Sequence, residues 1–459
     1  MNLNELKKKG YKIATNWQEC NKKSIFLINS SNFKKFENYK NLALKKKCNV
    51  IICNIKFKKK LKQNLIKYFF YKNQNDLNSI AKIFYDLNKL KIIFVTGTNG
   101  KTSIAYGANK LFNINGVKSC YIGTLGFYIS SKKIKKLKNT TPSYFEILNL
   151  LQMANDNHIK FVFMEVSSIG YCEGRIGNLM YNYCILTNLE SDHLDYHKNI
   201  KEYHLAKANL IRRHKLKNSI LFLQNDNLKN KFKYFNKQLF TQGNFLLNNK
   251  ISIVNKSFDK YLIMTKDKSY MINSYNDFMI KNIITILMFY KKIIKKFPSK
   301  INKTLFPPGR SEIIYNKKNK VIIIDYAHSK DAYENLLNKF PLLNKYIIII
   351  YGCGGNRDKT KRSQIAKTVS KYTNLQIITD DNPRTEDPAL IRKTLIKYSS
   401  NPIEVPNRKK AIKFGINYIK KNEGILIIAG KGHEETQSYK DKNYSFNDKV
   451  ISLNYAKNL

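Results

Sequence analysis

The stretch Lys91–Ser103, KIIFVTGTNGKTS, constrains this chain most, because an apolar run passes through a glycine-bracketed turn directly into a helix start. Gly97 and the Gly100-Lys101-Thr102 triplet stand closer together than in the common G-x-x-x-x-G-K-[ST] loop, yet the parts have the same uses. Glycines let backbone N–H groups approach a triphosphate, and the following helix turns its positive N-terminal end toward the anion. Lys101 is placed to reach the β- and γ-phosphates, and the Thr102 hydroxyl to bind magnesium. The plain alternative is a strand, a tight turn and a helix, a common unit of α/β proteins.

A chain of 459 residues, 43% hydrophobic, has material for about three cores of ~150 residues each. Its 83 Lys and Arg against 32 Asp and Glu give a formal charge of +51, which taken alone points to nucleic acid or an anionic membrane. The lysines are, however, sprinkled singly and in short runs such as Lys58-Lys59-Lys60 and Lys132-Lys133 through every segment, as in a solvated basic surface. Seven cysteines, odd in number and without a C-x-x-C pair, indicate neither a zinc site nor a disulfide framework, and a reducing cytoplasm is expected. The first ten residues carry no apolar signal-peptide core, and runs such as Tyr346–Tyr351 are too short to span a bilayer, so a soluble protein is expected.

Further strings follow the loop in order. Thr140-Thr141-Pro142-Ser143 comes after a basic, hairpin-like stretch; threonines before a proline also suit an ordinary helix start. KFVFMEVSS (160–168) reads as a buried strand with Glu165 at its carboxyl end, where open α/β sheets bind ligands. CILTNLESDHLDYH (184–197) brings His193 to the same edge, and EYHLAKANL, which holds Lys207, is helical. Residues 218–300 read as strands with one helix, FMIKNIITILMFYKKII (278–294), and FPPGR (306–310) as a linker. Beyond it VIIIDYAHS, YIIIIYGCGGNRDKTKR, LQIITDDNPRTEDP and GILIIAGKGHEETQ are strands with loops at their carboxyl ends, which predicts a mostly parallel α/β sheet.

The wording TGTNGKT, and the strings after it in this order, resemble the Mur ligase superfamily, ATP-dependent amide ligases that include peptidoglycan precursor ligases and folylpolyglutamate synthase. The resemblance covers about residues 90–459 and is weak before that, where Ser30 or Ser31 are only guesses as uridine contacts. It implies an α/β protein of three domains. These are a small uridine-nucleotide-binding domain (1–89), a central P-loop ATPase (90–304) and a Rossmann-like domain for the incoming amino acid (305–459). It implies ATP contacts from Gly97, Thr98, Asn99, Gly100, Lys101, Thr102, Ser103, Asn282, Arg310, Asp325 and His328, and magnesium on Thr102, Glu165 and His193. Lys207 matches the family's carbamylated lysine, an N6-carboxylysine, which with Lys101, Glu165 and His193 makes up the catalytic set.

In the diaminopimelate-adding branch, Thr140, Thr141, Ser167, Glu173 and Arg175 match positions that hold the acceptor, UDP-N-acetylmuramoyl-L-alanyl-D-glutamate. Ile169 and Glu173 replace the usual His and Gln, and Met279 an asparagine that often accompanies Asn282. Arg357, Asp381, Asn382, Pro383, Arg384, Gly430 and Glu434 match contacts to meso-diaminopimelate. Chemistry agrees, since a second carboxylate calls for a bidentate guanidinium such as Arg384 and an ammonium suits Glu434; D-N-P-R is also a good turn by itself. The expected product is a cell-wall precursor made in the cytoplasm by a monomer without nucleic-acid or membrane-span partners. The alternatives are a lysine-adding ligase, opposed by Arg384, a folylpolyglutamate-synthase-like ligase, which lacks the TTP and DNPR strings together, and a nucleic-acid-binding P-loop protein, resting on charge alone.

Overall fold

The protein, seen in a computed structural model, is described for residues 2–61, 65–193, 196–301, 305–440, 442–457 and 459. The expected boundary at residue 304 lies outside them, as do Leu194 and Asp195 of the DHLDYH string. Three sheets organise the fold. In the first, Lys12–Ala14, Ser24–Ile28, Val50–Asn54 and Lys67–Tyr71 run parallel in chain order. Ser24–Ile28 is buried throughout, so it is apolar on both faces, as a strand covered on both sides must be. Asn32 and Asn73 cap the helices Phe33–Lys45 and Gln74–Phe84 by accepting from backbone N–H groups of their first turns. The second helix buries Leu77, Ile80 and Ala81 in a core that also takes Tyr144, Phe145 and Leu148 from the central unit.

The central sheet has eight strands. Leu239–Thr241, Lys215–Leu223, Tyr181–Leu186, Lys91–Thr96, Phe161–Glu165 and Ser119–Gly123 are parallel in that spatial order, and Gly126–Ile129 with Lys132–Lys135 add the basic hairpin antiparallel at one edge. Lys91–Thr96 lies mid-sheet between Tyr181–Leu186 and Phe161–Glu165, so three adjacent carboxyl ends carry the glycine loop, the 187–193 segment and Glu165 to one place. The helix Lys101–Ile114 packs on the helix Asp277–Ile294, with Ile104, Leu111, Phe112, Ile283, Leu287 and Phe289 in one core. Residues 218–300 contain a second helix, Gln242–Asn248, capped by Thr241; seven residues are too few for an apolar period to show in sequence. An antiparallel meander, Ser252–Ser257, Lys260–Met264 and Ser269–Asn273, precedes the long helix.

The third sheet orders Glu312–Lys317, Lys320–Asp325, Gly424–Ala429, Ile347–Tyr351, Leu375–Ile378 and Pro402–Glu404, parallel except for its first strand. Gly424–Ala429, last of the parallel strands in the chain, lies inside the sheet between Lys320–Asp325 and Ile347–Tyr351, and a hairpin, Thr436–Tyr439 with Lys442–Ser445, follows it. Among the described residues no helix is long and apolar enough to cross a membrane.

One buried ion pair ties this last unit together. Arg408, at the start of helix Arg408–Lys421, donates through Nε and Nη2 to the two oxygens of Asp448, each at 2.8 Å, and both side chains are fully buried. Nη2 also donates to the carbonyl of Ala429 at 2.8 Å, so two helices and the central strand share one guanidinium. Removing one partner strands a buried charge. Asp448→Ala should cost about 3–5 kcal/mol in urea unfolding, and Arg408→Met with Asp448→Leu markedly less; equal losses would show that the pair is not what the fold depends on.

Candidate active site

The glycine loop is held from two sides. Asn188 Oδ1 accepts from the backbone N–H groups of Thr98 and Asn99 at 3.1 and 2.9 Å, and the Thr187 hydroxyl donates to the Asn99 carbonyl at 2.6 Å. Gly97, at φ 142°, leaves no room for a side chain, since a Cβ would lie 1.9 Å from the Thr187 hydroxyl. Lys101 curls back, its Nζ donating to the carbonyls of Gly97 and Thr98 at 2.9 and 2.8 Å. Burial lowers its pKa, while Glu165 and Asp192 act the other way.

Glu165 has no exposed surface. Its Oε2 accepts from the hydroxyls of Thr102 at 2.9 Å and Thr124 at 3.2 Å, and its Oε1 from the Thr124 N–H at 3.0 Å and the Tyr121 hydroxyl. Tyr121 is driven well above a normal phenol by burial and then by this carboxylate. Thr124 Oγ1 also lies 3.0 Å from that of Thr140. Thr141 Oγ1 donates to the Glu165 carbonyl at 3.2 Å and accepts from the Ser167 N–H at 3.0 Å, and Arg175 Nη1 donates to the Thr141 carbonyl at 3.0 Å. Neither threonine caps the following helix, whose N-cap is Ser143, so the ordinary helix-start reading of this pair fails. Glu173 pairs with Arg175, Nε to Oε2 at 2.6 Å.

A cavity of about 190 Å³ opens over the loop. Thr98, Asn99, Gly100, Lys101, Thr102, Ser103, Glu165, His193 and Lys207 line it from the central unit, and Arg310, Asp325 and His328 from the third. Arg310 lies 4.3 Å over the Tyr326 ring, and Asp325 accepts from the N–H groups of Ser311 and Ala327, each at 2.6 Å. Asn282 is fully buried, accepts from Gln224 Nε2 at 2.9 Å and packs under Gly100; the neighbouring Phe278 and Met279 line the cavity instead.

His193 has a left-handed backbone, φ 55°, that turns its ring to Asp192 at 3.5 Å, and His328 reaches the same carboxylate at 3.9 Å from the third unit. Burial opposes the charge on Asp192, but His193, His328 and Lys361 outweigh it and hold the acid at about 2. Burial brings His193 down to about 4 against the pull of Asp192. Lys207 is 1% exposed, with Nζ 4.0 Å over the Tyr203 ring, and burial followed by Lys101 lowers its pKa well below that of a free lysine. It is not a surface lysine.

A second cavity, about 440 Å³, is lined by Asn382, Arg384, His433 and Glu434 of the third unit and Tyr128, Lys133 and Thr124 of the central one. Arg384, left-handed at φ 56°, donates through Nη1 to the Gly355 carbonyl at 2.6 Å and through its N–H to the Ser438 carbonyl at 3.1 Å. Asn382 Nδ2 donates to Glu434 at 2.8 Å. Asp381 Oδ2 is buried without a hydrogen-bond partner and faces Gly430, where a Cβ would lie 2.6 Å from it. Pro383 sits within this turn, its carbonyl against Gly355, and Arg357 is exposed and lines neither cavity. Thr124 belongs to both cavities. The sequence reading missed Thr124, Asn188, Asp192 and Lys431; Asp192, beside His193 in the SDH triplet, had a signal, while Thr124 had none beyond lying after a strand.

The chain matches the Mur ligase middle domain over residues 95–287 and the Mur ligase glutamate ligase domain over residues 309–432. It is 33% identical to the UDP-N-acetylmuramoyl-L-alanyl-D-glutamate--2,6-diaminopimelate ligase of Wigglesworthia glossinidia brevipalpis, covering 96% of this chain and 93% of that one. It is 34% identical to the same-named ligase of Lawsonia intracellularis, covering 82% and 81%. Among solved structures, a ligase of that name superposes with a TM-score of 0.57 at 22% identity, covering 97% of this chain and 94% of that one. The MurF ligase of Thermotoga maritima in complex with ADP superposes with 0.64 at 14% identity, covering 99% and 98%. With the loop, the carboxylate edge and the three sheets in place, this chain belongs to the Mur ligase family.

Proposed function

We propose that the protein is an ATP-dependent amide ligase that adds meso-diaminopimelate to UDP-N-acetylmuramoyl-L-alanyl-D-glutamate in peptidoglycan precursor synthesis. The observation that carries this reading is the meeting of the phosphate-loop cavity and the Arg384 cavity at Thr124. A ligase needs such a meeting: one side activates a carboxylate, the other delivers an amine. The names of the relatives support the two substrates. The γ-phosphoryl group passes from ATP to the acceptor's carboxylate, giving an acyl phosphate and ADP. The amine then attacks the acyl carbon, the carbon–oxygen bond to phosphate breaks, and inorganic phosphate leaves as the amine loses its proton.

On this reading Lys101 and the loop N–H groups hold the transferring phosphoryl group, and Arg310, Asp325 and His328 close over the nucleotide. The oxygens of Thr102 and Glu165, already in contact, are hard donors that fit magnesium, with His193 across the cavity; that ion supplies charge neutralisation on the phosphates. Thr140, Thr141, Ser167 and Arg175, with Glu173, hold the acceptor beside Glu165, and Arg357, Arg384, Asp381, Asn382, Pro383, Gly430 and Glu434 hold diaminopimelate. The three sheets are the cores of three domains, 1–89, 90–304 and 305–459, the first for the uridine nucleotide. The enzyme works in the cytoplasm as a monomer, and its basic surface is bystander charge with no nucleic-acid partner.

Lys207 is carbamylated. A buried amine with a lowered pKa is nucleophilic toward carbon dioxide, and the carbamate gives the cavity an anion opposite Lys101. Lys207→Ala should lose most activity, and small carboxylates in solution should restore part of it by filling the vacated position; full activity in the unrescued mutant would remove Lys207 from the site.

Substrate choice tests the whole reading. Lysine and meso-diaminopimelate differ by one carboxylate, and a guanidinium that gains a charged partner or is left without one changes binding by about 2–3 kcal/mol each way. Phosphate release with a panel of amino acids should show discrimination of ~1,000-fold or more for diaminopimelate. Arg384→Ala should erase most of it by raising the KM for diaminopimelate alone. Use of lysine by the wild type, or full preference in the mutant, would contradict the assignment.

A further inference from the structure

Behind the lining of the second cavity lies a buried cation that no motif string singled out. Lys431 follows Gly430 at the end of the strand Gly424–Ala429, and its side chain is completely buried. Its Nζ donates to Asn382 Oδ1 at 3.0 Å and to Glu434 Oε2 at 2.8 Å. Asn382 Nδ2 donates to that same glutamate oxygen at 2.8 Å, and the Ser438 N–H donates to Asn382 Oδ1 at 3.0 Å. The triangle fixes the amide of Asn382, because a flipped amide would turn its NH₂ toward two donors and its oxygen toward a carboxylate. Both donors on Glu434 fall on Oε2, so a substrate ammonium meets this side chain through Oε1.

The charge matters as much as the hydrogen bonds. Arg384 is acted on by Arg357 with the same sign and by Asp381 and Glu434 with the opposite sign, and Asp381 is in turn acted on by Lys431. Among the side chains that line the cavity, Lys133, Lys136, Arg384 and Lys449 stand against Glu312, Glu434 and Glu435, and behind them the buried Lys431 acts on Asp381 and Glu434. We propose that Lys431 is a specificity-determining positioning residue: its buried charge leaves the amino-acid pocket positive, which favours an amino acid with an additional carboxylate and penalises a net cation. This deepens the proposed function and rests on it. Meso-diaminopimelate, with two ammonium and two carboxylate groups, is neutral overall, whereas lysine carries one positive charge. A like charge at ~7 Å in a medium of effective dielectric ~20 disfavours the cation by a factor of tens.

Lys431→Gln separates the roles, because the amide can still donate to Asn382 and Glu434 but carries no charge. With ATP and the muramoyl dipeptide saturating, K431Q should raise the KM for diaminopimelate about 10-fold, with kcat and the other two KM values within a few-fold. The diaminopimelate-to-lysine ratio of kcat/KM should fall at least 10-fold, and K431R should recover most of it. An unchanged ratio in K431Q overturns the proposal, as does an equal loss against every amino acid together with a lowered Tm, the mark of a purely structural lysine. If the wild type turns over some other amino acid, the diaminopimelate reading falls, and the charge claim is decided by that amino acid against its net-cationic analogue in the same variants, retained discrimination overturning it. Should K431Q fail to fold, K431R must keep the wild-type ratio, and a changed ratio overturns the proposal.

Discussion

A carboxylate with no exposed surface, Glu165, is the interaction on which the rest of the site depends. Burying such an anion costs several kcal/mol unless it is surrounded by donors. Thr102, Thr124 and Tyr121 supply four. One comes from the helix after the glycine loop and the others from the strand Ser119–Gly123 and the turn beyond it, so the carboxylate sets the loop against two neighbouring strands. Phosphates bound by the loop would then have a fixed oxygen donor set beside them, and Thr140 and Thr141, joined to the same glutamate through Thr124 and through its carbonyl, share that frame.

The third unit meets the central one through an apolar seam, with Tyr275 and Phe258 packed on Phe340, and through polar contacts over the site. Asp192 sits between His193 of the central unit and His328 of the third, and Lys136 of the basic hairpin pairs with Glu435 at 3.0 Å. The linker is pressed against the KGHE loop, a Cβ on Gly309 falling 2.3 Å from the backbone of Gly432 and His433. Exposed ion pairs such as Lys136–Glu435 contribute little stability, so the apolar seam carries more of the contact between the units.

The elements legible in sequence were those whose pattern is local. The strand and helix around Gly97–Thr102, the buried strand before Glu165 and the helix Asp277–Ile294 announce themselves by apolar runs and period. Less legible was what depends on three-dimensional juxtaposition. Lys207 looks like any of many surface lysines and is almost wholly buried, because its helix packs on the short helix after Ser167. Thr124 and Lys431 carry no motif chemistry in the strings; Thr124 is placed where two cavities meet, and Lys431 by its buried contacts to Asn382 and Glu434. The +51 charge, the loudest compositional signal, informs least about the site, since charged groups at its centre, Glu165, Lys207 and Lys431, are buried and do not belong to the basic surface.

The central claim is that a carboxylate is phosphorylated on one side of Thr124 and attacked by an amine on the other. It is tested most directly by supplying the muramoyl dipeptide with its reacting carboxylate labelled with heavy oxygen, together with ATP, magnesium and diaminopimelate, and weighing the phosphate released. An acyl phosphate leaves one labelled oxygen in each phosphate formed. Unlabelled phosphate accompanying amide product would mean that the carboxylate oxygen never bonded to phosphorus, and would contradict the account.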